Sequence, residues 1–381
     1  MCDLMAVWKK MRSLFSRKAS VSDGFFLSIA GGNALPTKDT LAAIDELSRV
    51  VKNNSDSVEI YHALGNLYRS QGELERAIQI RQNLIIRPGL DPNFKARAYF
   101  ELGKDYKRAG FMDRSLDAFA KAREMCGDDP EILRELGDIA ARVGDFLLAS
   151  QYYAALKYPL AQAHYLVLYA HAFFSGKREE KEEDGAKWLS KALKVYPGSV
   201  EGWLERITQA YEQENWNSFE KYLKKGFENI DENLRFVLLE GLIQFAQKQS
   251  LKDTGPYVHP EACARAIPCI EAFPQDLLLY YYGSLLLVQA NETEQAQIWL
   301  EKALMLDPDF WPIRLEVLRL SMPEQSLSPV FKVQLEFFLT RAQRVKRFVC
   351  SHCGLKREQL FYVCPRCQTW HSIRFRKSLN D

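Results

Sequence analysis

The sequence lacks an apolar run long enough to cross a membrane. Its longest uncharged apolar stretch, residues 277–291, has fifteen residues, whereas a transmembrane helix needs roughly 20. No secretory signal is predicted, because no apolar segment follows the basic residues Lys9, Lys10 and Arg12. We therefore expect a cytoplasmic protein without a transmembrane helix.

The sequence also lacks the common catalytic motifs. No glycine-rich phosphate loop, nucleophile elbow, His-Glu-x-x-His or catalytic arrangement of paired carboxylates stands out in it. Two of its six histidines, His164 and His171, lie seven residues apart in a predicted helix. No carboxylate neighbours them at ligand spacing, so we expect them to pack in the core. The sequence predicts a protein that is not an enzyme.

The eight cysteines show little of the pattern of a disulfide-bonded protein. Four of them are scattered (Cys2, Cys126, Cys263 and Cys269), and the other four form two Cys-x-x-Cys pairs near the C-terminus. In a chain without a secretory signal, this arrangement favours a metal site over disulfides.

Charge is nearly balanced overall, at +2, but it is unevenly distributed. Residues 1–18 carry +4, residues 341–381 carry +8, and the part between them carries −10. In residues 1–18, apolar side chains recur at helical spacing on one face: Leu4, Val7, Trp8, Met11, Leu14 and Phe15. Such a basic amphipathic helix either lies on a membrane surface or packs on the first repeat. Both alternatives remain open.

Internal repetition dominates the chain. The segment from Tyr99 places glycine, alanine and aromatic residues at tetratricopeptide positions, and a related series recurs thirty-four residues later. A period of about 34 residues with a helix–turn–helix pattern is typical of a tetratricopeptide array. Four repeats are clear, and their first helices carry the equivalent glycines Gly65, Gly103, Gly137 and Gly283. Each hairpin has an apolar face that only stacking can bury.

Weaker copies extend this array to about eight repeats over residues 23–345. We assign them to 163–198, 200–233 and 234–275, with a degenerate first unit at 23–57. A stretch at 329–344 is expected to be helical and to cap the array, from the period of four apolar residues: Phe331, Leu335, Phe338 and Leu339. We expect partner proteins to bind a concave face lined by the first helix of each hairpin.

The C-terminal cysteines have the spacing of a metal ribbon at residues 346–375, followed by a tail at 376–381. Ten residues separate the two Cys-x-x-Cys pairs, and two facing turns of this kind supply four tetrahedral ligands. The predicted ligands are Cys350, Cys353, Cys364 and Cys367. Four thiolates suit either zinc or iron.

The ribbon sequence also carries strand-like and turn-like segments. Residues 360–363 and 373–375 have the composition of short strands, and Gly354 suits a tight turn after the first pair. A unit this small cannot be stabilised by a core alone, so the metal is expected to stabilise it. Because four thiolates complete the shell, His352 and His371 are expected at the surface. A redox dithiol would need only one such pair, in a thioredoxin-like surround that is missing here.

A tetratricopeptide array followed directly by a four-cysteine ribbon resembles the lipopolysaccharide assembly protein B family. The similarity covers about residues 23–375 and is most specific in LGNLYRSQGELERAIQIRQNL, LGKDYKRAGFMDRSLDAF and CSHCG…LFYVCPRCQTW. The resemblance implies an all-α solenoid with a rubredoxin-like ribbon packed against the repeats. It assigns the metal to the same four cysteines.

The resemblance also implies a function. The family consists of non-enzymatic adaptors at the cytoplasmic face of the inner membrane of Gram-negative bacteria. They regulate lipopolysaccharide synthesis by linking the deacetylase that commits precursors to lipid A with the membrane protease FtsH. The family begins with a transmembrane helix, whereas residues 1–18 here are only amphipathic. We therefore expect peripheral attachment through residues 1–18.

The alternative to an adaptor is a nucleic-acid- or ribosome-associated protein that uses the basic ribbon. The ribbon interleaves few aromatics with its basic residues, mainly Phe361, Tyr362 and Trp370. Binding of nucleic acid is therefore the less favoured interpretation. Electron transfer is also disfavoured, because Gln368 stands where rubredoxin has glycine.

Overall fold

The computed structural model describes residues 58–175, 182–249, 258–343 and 345–377, with single positions between 42 and 49. The predicted segment 1–18, most of the predicted repeat at 23–57 and residues 378–381 lie outside the described residues. Within the described ranges, no helix combines the length and the apolarity that spanning a bilayer requires. The chain divides into two compact units, Met1–Pro88 and Gly89–Asp381.

The first unit contains a helical hairpin of α1 (Val58–Ser70) and α2 (Leu74–Ile85). Leu64 of α1 is buried together with Ile44 and Leu47. Gly65 faces the fully buried side chain of Arg81, which occupies the place an aromatic ring takes in later hairpins. The Arg81 guanidinium donates to Asn66 Oδ1 at 2.6 Å. This hairpin therefore has a polar contact at its centre.

The second unit is a series of helical hairpins followed by a small sheet. Its helices are α3 (Pro92–Ala109), α4 (Met112–Cys126), α5 (Pro130–Arg142), α6 (Phe146–Ala155), α7 (Pro159–Phe174), α8 (Glu182–Val195), α9 (Val200–Glu212), α10 (Trp216–Asn229), α11 (Arg235–Gln249), α12 (Pro260–Glu271), α13 (Leu277–Gln289), α14 (Thr293–Leu306), α15 (Trp311–Ser321) and α16 (Pro329–Gln343). We call the first helix of each hairpin an A helix; these are α3, α5, α7, α9, α11, α13 and α15. The surface that they form together is the A-helix face.

Local sequence signals set the ends of these helices. Both α3 and α5 begin with proline directly after an aspartate, Asp91 or Asp129, whose carboxylate accepts a hydrogen bond from a free N–H of the first turn. Helix α3 ends at Gly110, whose φ of 83° is the left-handed conformation that favours glycine. These signals separate one hairpin from the next.

The hairpins close because a glycine of the A helix receives a ring from the second helix, sixteen residues later. A Cβ on Gly103 would lie 2.8 Å from the Phe119 ring, and one on Gly137 would lie 3.0 Å from Tyr153. Gly283 meets Trp299 in the same way. The predicted tetratricopeptide solenoid is thus confirmed, with an aromatic ring filling the space beside each of these three glycines.

The C-terminal sheet has three short antiparallel strands: β1 (Phe348–Cys350), β2 (Lys356–Arg357) and β3 (Ile373–Phe375). β1 is central, in the order β2-β1-β3, and Phe348 pairs with Arg357 on one side and Phe375 on the other. The predicted strand at 373–375 is present. The prediction of a strand at 360–363 is wrong, because only Val363 forms an isolated bridge there, with Trp370.

Helix α16 forms where a capping helix was predicted, but only part of its apolar period is buried. Leu339 is buried and Leu335 is half-buried. Phe331 and Phe338, which belong to the apolar period of the predicted capping helix, are 55% and 63% exposed. The helix is apolar on two sides, and periodicity alone did not distinguish the side that packs from the side that faces water.

The Gly103 contact gives a test of the hairpin packing. Replacing Gly103 by leucine should lower the free energy of unfolding by about 1–3 kcal/mol or more, because the new side chain overlaps the Phe119 ring. Arg108 is exposed on the same helix. Arg108→Leu therefore introduces the same residue without the overlap and is the control. Equal stability of the two variants in urea unfolding would contradict the assigned packing.

Candidate metal centre

The four cysteines lie on two turns with the same backbone geometry. In the first turn the Gly354 N–H donates to the Cys350 carbonyl oxygen at 2.9 Å, and in the second the Gln368 N–H donates to the Cys364 carbonyl oxygen at 2.9 Å. The residue that closes each turn has a positive φ, 68° at Gly354 and 57° at Gln368. The sequence predicted the tight turn at Gly354; Gln368 adopts the same conformation without being glycine.

The two turns bring the four sulfur atoms together. Cys350 Sγ lies 3.6 Å from Cys367 Sγ, and Cys353 Sγ lies 3.6 Å from Cys364 Sγ. All four sulfur atoms lie within 4.8 Å of one another. A tetrahedral ion with metal–sulfur bonds of about 2.3 Å separates its ligands by about 3.8 Å. The four cysteines could therefore hold one metal ion.

The surroundings of the site favour the thiolate form at one cysteine of each turn. The pKa of Cys367 is lowered to about 5, mainly because the Thr369 hydroxyl lies 3.2 Å from its sulfur. Burial raises the pKa of Cys350. Hydrogen bonding to Ser372, which lies 3.2 Å away, and to two backbone N–H groups outweighs burial, so the pKa is lowered overall. Burial raises the pKa of the other two thiols. Metal ligation requires the deprotonated form.

One end of the ribbon packs into an aromatic cluster on the A-helix face. Ring centroids of Phe375 and Phe310 are 5.5 Å apart, and Phe375 lies 6.1 Å from both Phe236 of α11 and Tyr281 of α13. Phe348 of β1 stacks on Phe236 at 6.3 Å. Both ribbon phenylalanines are buried. Burial of each ring contributes roughly 1.5–3 kcal/mol, so the sheet is part of the main core.

The other end of the ribbon packs through Trp370. Its ring makes edge-to-face contacts with Tyr153, Tyr158, His164 and Tyr165, at centroid distances between 5.0 and 6.3 Å. His164 and Tyr165 belong to α7, so the ribbon reaches from α7 to α13 along the A-helix face. Trp370 is therefore engaged within the protein.

Between these two ends lies a buried carboxylate that holds the ribbon. Glu201 of α9 accepts hydrogen bonds from His164 Nδ1 at 2.8 Å and from His371 Nε2 at 3.1 Å. Burial raises the pKa of Glu201, but the two histidines outweigh burial and lower it to about 2. One carboxylate thus joins α7, α9 and the ribbon.

A second ion pair joins the start of the ribbon to α11. Arg347 Nη2 donates to Glu240 Oε1 at 2.9 Å, and only 3% of the Glu240 side chain is exposed. Gln244 donates to the same oxygen at 2.6 Å. The buried charge of Glu240 is therefore compensated by a residue of the C-terminal segment.

The structure corrects three sequence expectations about histidine. His371 was expected at the surface, but its side chain is only 9% exposed and contacts Glu201. His164 and His171 were expected to pack in the core without carboxylate partners. Instead α9 supplies Glu201 to the first and Glu205 to the second, and the His171 side chain is 56% exposed. These glutamates follow the histidines by 37 and 34 residues, close to the tetratricopeptide period of about 34. The repeat period could have found them.

Comparison with known proteins agrees with the repeat assignment. Models of the tetratricopeptide repeat family match residues 58–80, 100–164 and 280–310. Lipopolysaccharide assembly protein B of Escherichia coli (strain K12) is 24% identical over 357 residues, covering 91% of this chain and 88% of the relative. The resemblance predicted from the motifs is confirmed.

Other proteins are also similar to this chain. The protein of the same name from Haemophilus influenzae is 24% identical over 366 residues, with 91% of this chain and 88% of the relative covered. Among solved structures, MamA is 21% identical over 41% of this chain and 88% of its own, with a TM-score of 0.32. Part of a repeat protein from Cytophaga hutchinsonii is 15% identical over 71% of this chain and 91% of its own, with a TM-score of 0.33.

The Glu201 contacts give a pH-dependent prediction. The pKa of Glu201 in the folded protein, about 2, lies below its ordinary value of 4.5. The charged carboxylate therefore stabilises the fold fully above pH 4.5, and this stabilisation is lost as the pH falls through about 2. Glu201→Gln should cost on the order of 3 kcal/mol at neutral pH. In urea unfolding, the difference in the free energy of unfolding between Glu201→Gln and the wild type should shrink as the pH falls.

The control is Glu205→Gln, on the same helix. Its partner His171 has a side chain that is 56% exposed, so solvent screens the pair and the substitution should cost less than about 1 kcal/mol. A Glu201→Gln effect that stays constant as the pH falls from 4.5 toward 2 would contradict the proposed role of the charge.

Proposed function

We propose that this chain is a non-enzymatic adaptor that regulates lipopolysaccharide synthesis. It brings the deacetylase that commits precursors to lipid A to the membrane protease FtsH. The observation that carries this proposal is the similarity to lipopolysaccharide assembly protein B over 91% of the chain. The repeat solenoid supports it, since stacked hairpins offer extended surfaces for binding proteins.

We propose that the adaptor works at the cytoplasmic face of the inner membrane. The support is the sequence of residues 1–18, which combines an apolar face with five basic residues. Each basic residue near an anionic leaflet adds up to about 1 kcal/mol of binding energy. Such a segment supports reversible attachment to a membrane surface.

The ribbon restricts where a partner protein can bind. It covers the A-helix face at α7, α9, α11 and α13 through Trp370, His371 and Phe375. The concave face expected to bind partners is thus partly filled by the chain itself. We infer that partners contact the A-helix face on either side of the ribbon.

We further propose that Cys350, Cys353, Cys364 and Cys367 bind one zinc or iron ion. In this view the repeats extend over residues 23–345 and the ribbon over 346–375. The support is the set of four sulfur atoms within 4.8 Å of one another. Bound metal cross-links the two turns, and its binding energy stabilises a sheet whose strands have only two or three residues.

Removal of two ligands tests the metal site. Cys364→Ser combined with Cys367→Ser should abolish stoichiometric metal, measured by elemental analysis of purified protein. Most of the helical circular dichroism should remain, because the buried cores of α4, α5, α7 and α8 contain no ribbon residue. Cys126→Ser, at an exposed cysteine, should keep its metal. One bound ion per chain in the double variant would contradict the four-thiolate site.

Binding of nucleic acid through the ribbon is less well supported. Its aromatic side chains are engaged within the protein: Phe361 is buried, and Trp370 packs against four rings. Stacking platforms for bases need exposed rings. The basic charge of the ribbon alone does not favour this function.

Reconstituted proteolysis tests the adaptor function. The full chain is added to purified FtsH and the deacetylase of the same organism, with ATP, in anionic proteoliposomes. The chain should accelerate loss of the deacetylase, because it raises the local concentration of substrate at the protease. An unrelated FtsH substrate should be degraded at an unchanged rate. An unchanged rate for the deacetylase, with no complex between it and the chain, would contradict the adaptor function.

A further inference from the structure

A cavity of about 340 Å³ lies on the A-helix face next to the ribbon. It is formed by α11, α13 and α15, with Leu339 of α16 at its edge and Arg347 at the start of the ribbon. Its apolar wall includes Ile243, Leu285 and Leu315. The A-helix face continues on both sides of the ribbon, and the cavity lies on one of these sides.

The charges around the cavity are already paired. Arg347 contacts Glu240 at 2.9 Å, and Arg319 contacts Glu316 at 3.0 Å. Two cations and two carboxylates leave no net charge at the wall. A charged occupant would have to give up its hydration without meeting an unpaired opposite charge, so the cavity favours a neutral one.

Two hydrogen-bond donors in this wall have no acceptor among the described residues. They are the indole Nε1–H of Trp311 and the Nε–H of Arg347, and both nitrogen atoms are buried. The Nη2 of Arg347 donates to Glu240, so the guanidinium is fixed while its Nε–H remains available. Buried donors without acceptors are costly, and an occupant that supplies two acceptor oxygens removes this cost.

We propose that the cavity binds an extended, uncharged peptide segment through one large apolar side chain. The side chain packs against Ile243, Leu285 and Leu339, and backbone carbonyl oxygens accept hydrogen bonds from Trp311 and Arg347. A carboxylate ligand would also offer two oxygens, but it would approach the carboxylates of Glu240 and Glu316. The proposal rests on the proposed function, because it describes how this face recognises a partner protein.

The test uses the full-length protein and three capped tripeptides. They are acetyl-glycyl-leucyl-glycinamide and its aspartyl and lysyl counterparts, each titrated into the millimolar range. The readout is the ¹⁵N–¹H signal of the Trp311 indole, assigned by its loss in Trp311→Phe. The leucyl peptide should shift this signal saturably, with an affinity at least about fivefold higher than that of either charged peptide.

Two variants locate the binding site. Gln247 lines the cavity and is exposed, so Gln247→Phe narrows the entrance and should weaken binding of the leucyl peptide at least about fivefold. Lys248→Phe is the control, because this exposed neighbour does not line the cavity. Binding that is equal in both variants would overturn the assignment of the site.

The result also separates this proposal from the adaptor function. No saturable shift with the leucyl peptide would mean that ordered water satisfies both donors, and it would overturn the proposal even if proteolysis of the deacetylase is accelerated. Equal affinity for the aspartyl peptide would overturn the preference for a neutral ligand. Peptide binding without any effect on proteolysis would count against the adaptor function alone.

Discussion

The structure depends on the need to cover helix α13 on every side. This helix reads LLLYYYGSLLLVQ and has no charged residue. On one side, Gly283 receives the Trp299 ring from α14. On the A-helix side, Phe375 of the ribbon packs against both Tyr281 and Tyr282. The ribbon therefore completes the core of the last hairpins.

This dependence makes the ribbon an internal ligand of the solenoid. Its aromatic side chains cover the A-helix face from α7 to α13, and Glu201 and Glu240 bind its polar residues. If the four cysteines bind a metal, the metal orders the ribbon and thereby keeps the A-helix face covered from α7 to α13. Metal content and partner binding are then linked through the same surface.

The sequence predicted the features that repeat or have fixed spacing. The sixteen-residue step from Gly103 to Phe119 recurs in later hairpins, and two Cys-x-x-Cys turns are recognisable because each ligand set is local. The contact between His371 and Glu201 spans 170 residues and follows no period. The outward orientation of Phe338 was missed because α16 is apolar on two sides. Long-range pairing and the choice between two apolar faces depend on the folded structure.

Amide hydrogen exchange tests most directly whether the ribbon is part of the solenoid core. Exchange is compared in the intact protein and in the variant in which Trp370 and Phe375 are both alanine. The account predicts faster exchange in α7, α9, α11 and α13 as well as in the ribbon, because their A-helix face loses its cover. Exchange in α3 and α4 should be unchanged. Faster exchange confined to residues 346–377 would contradict the account.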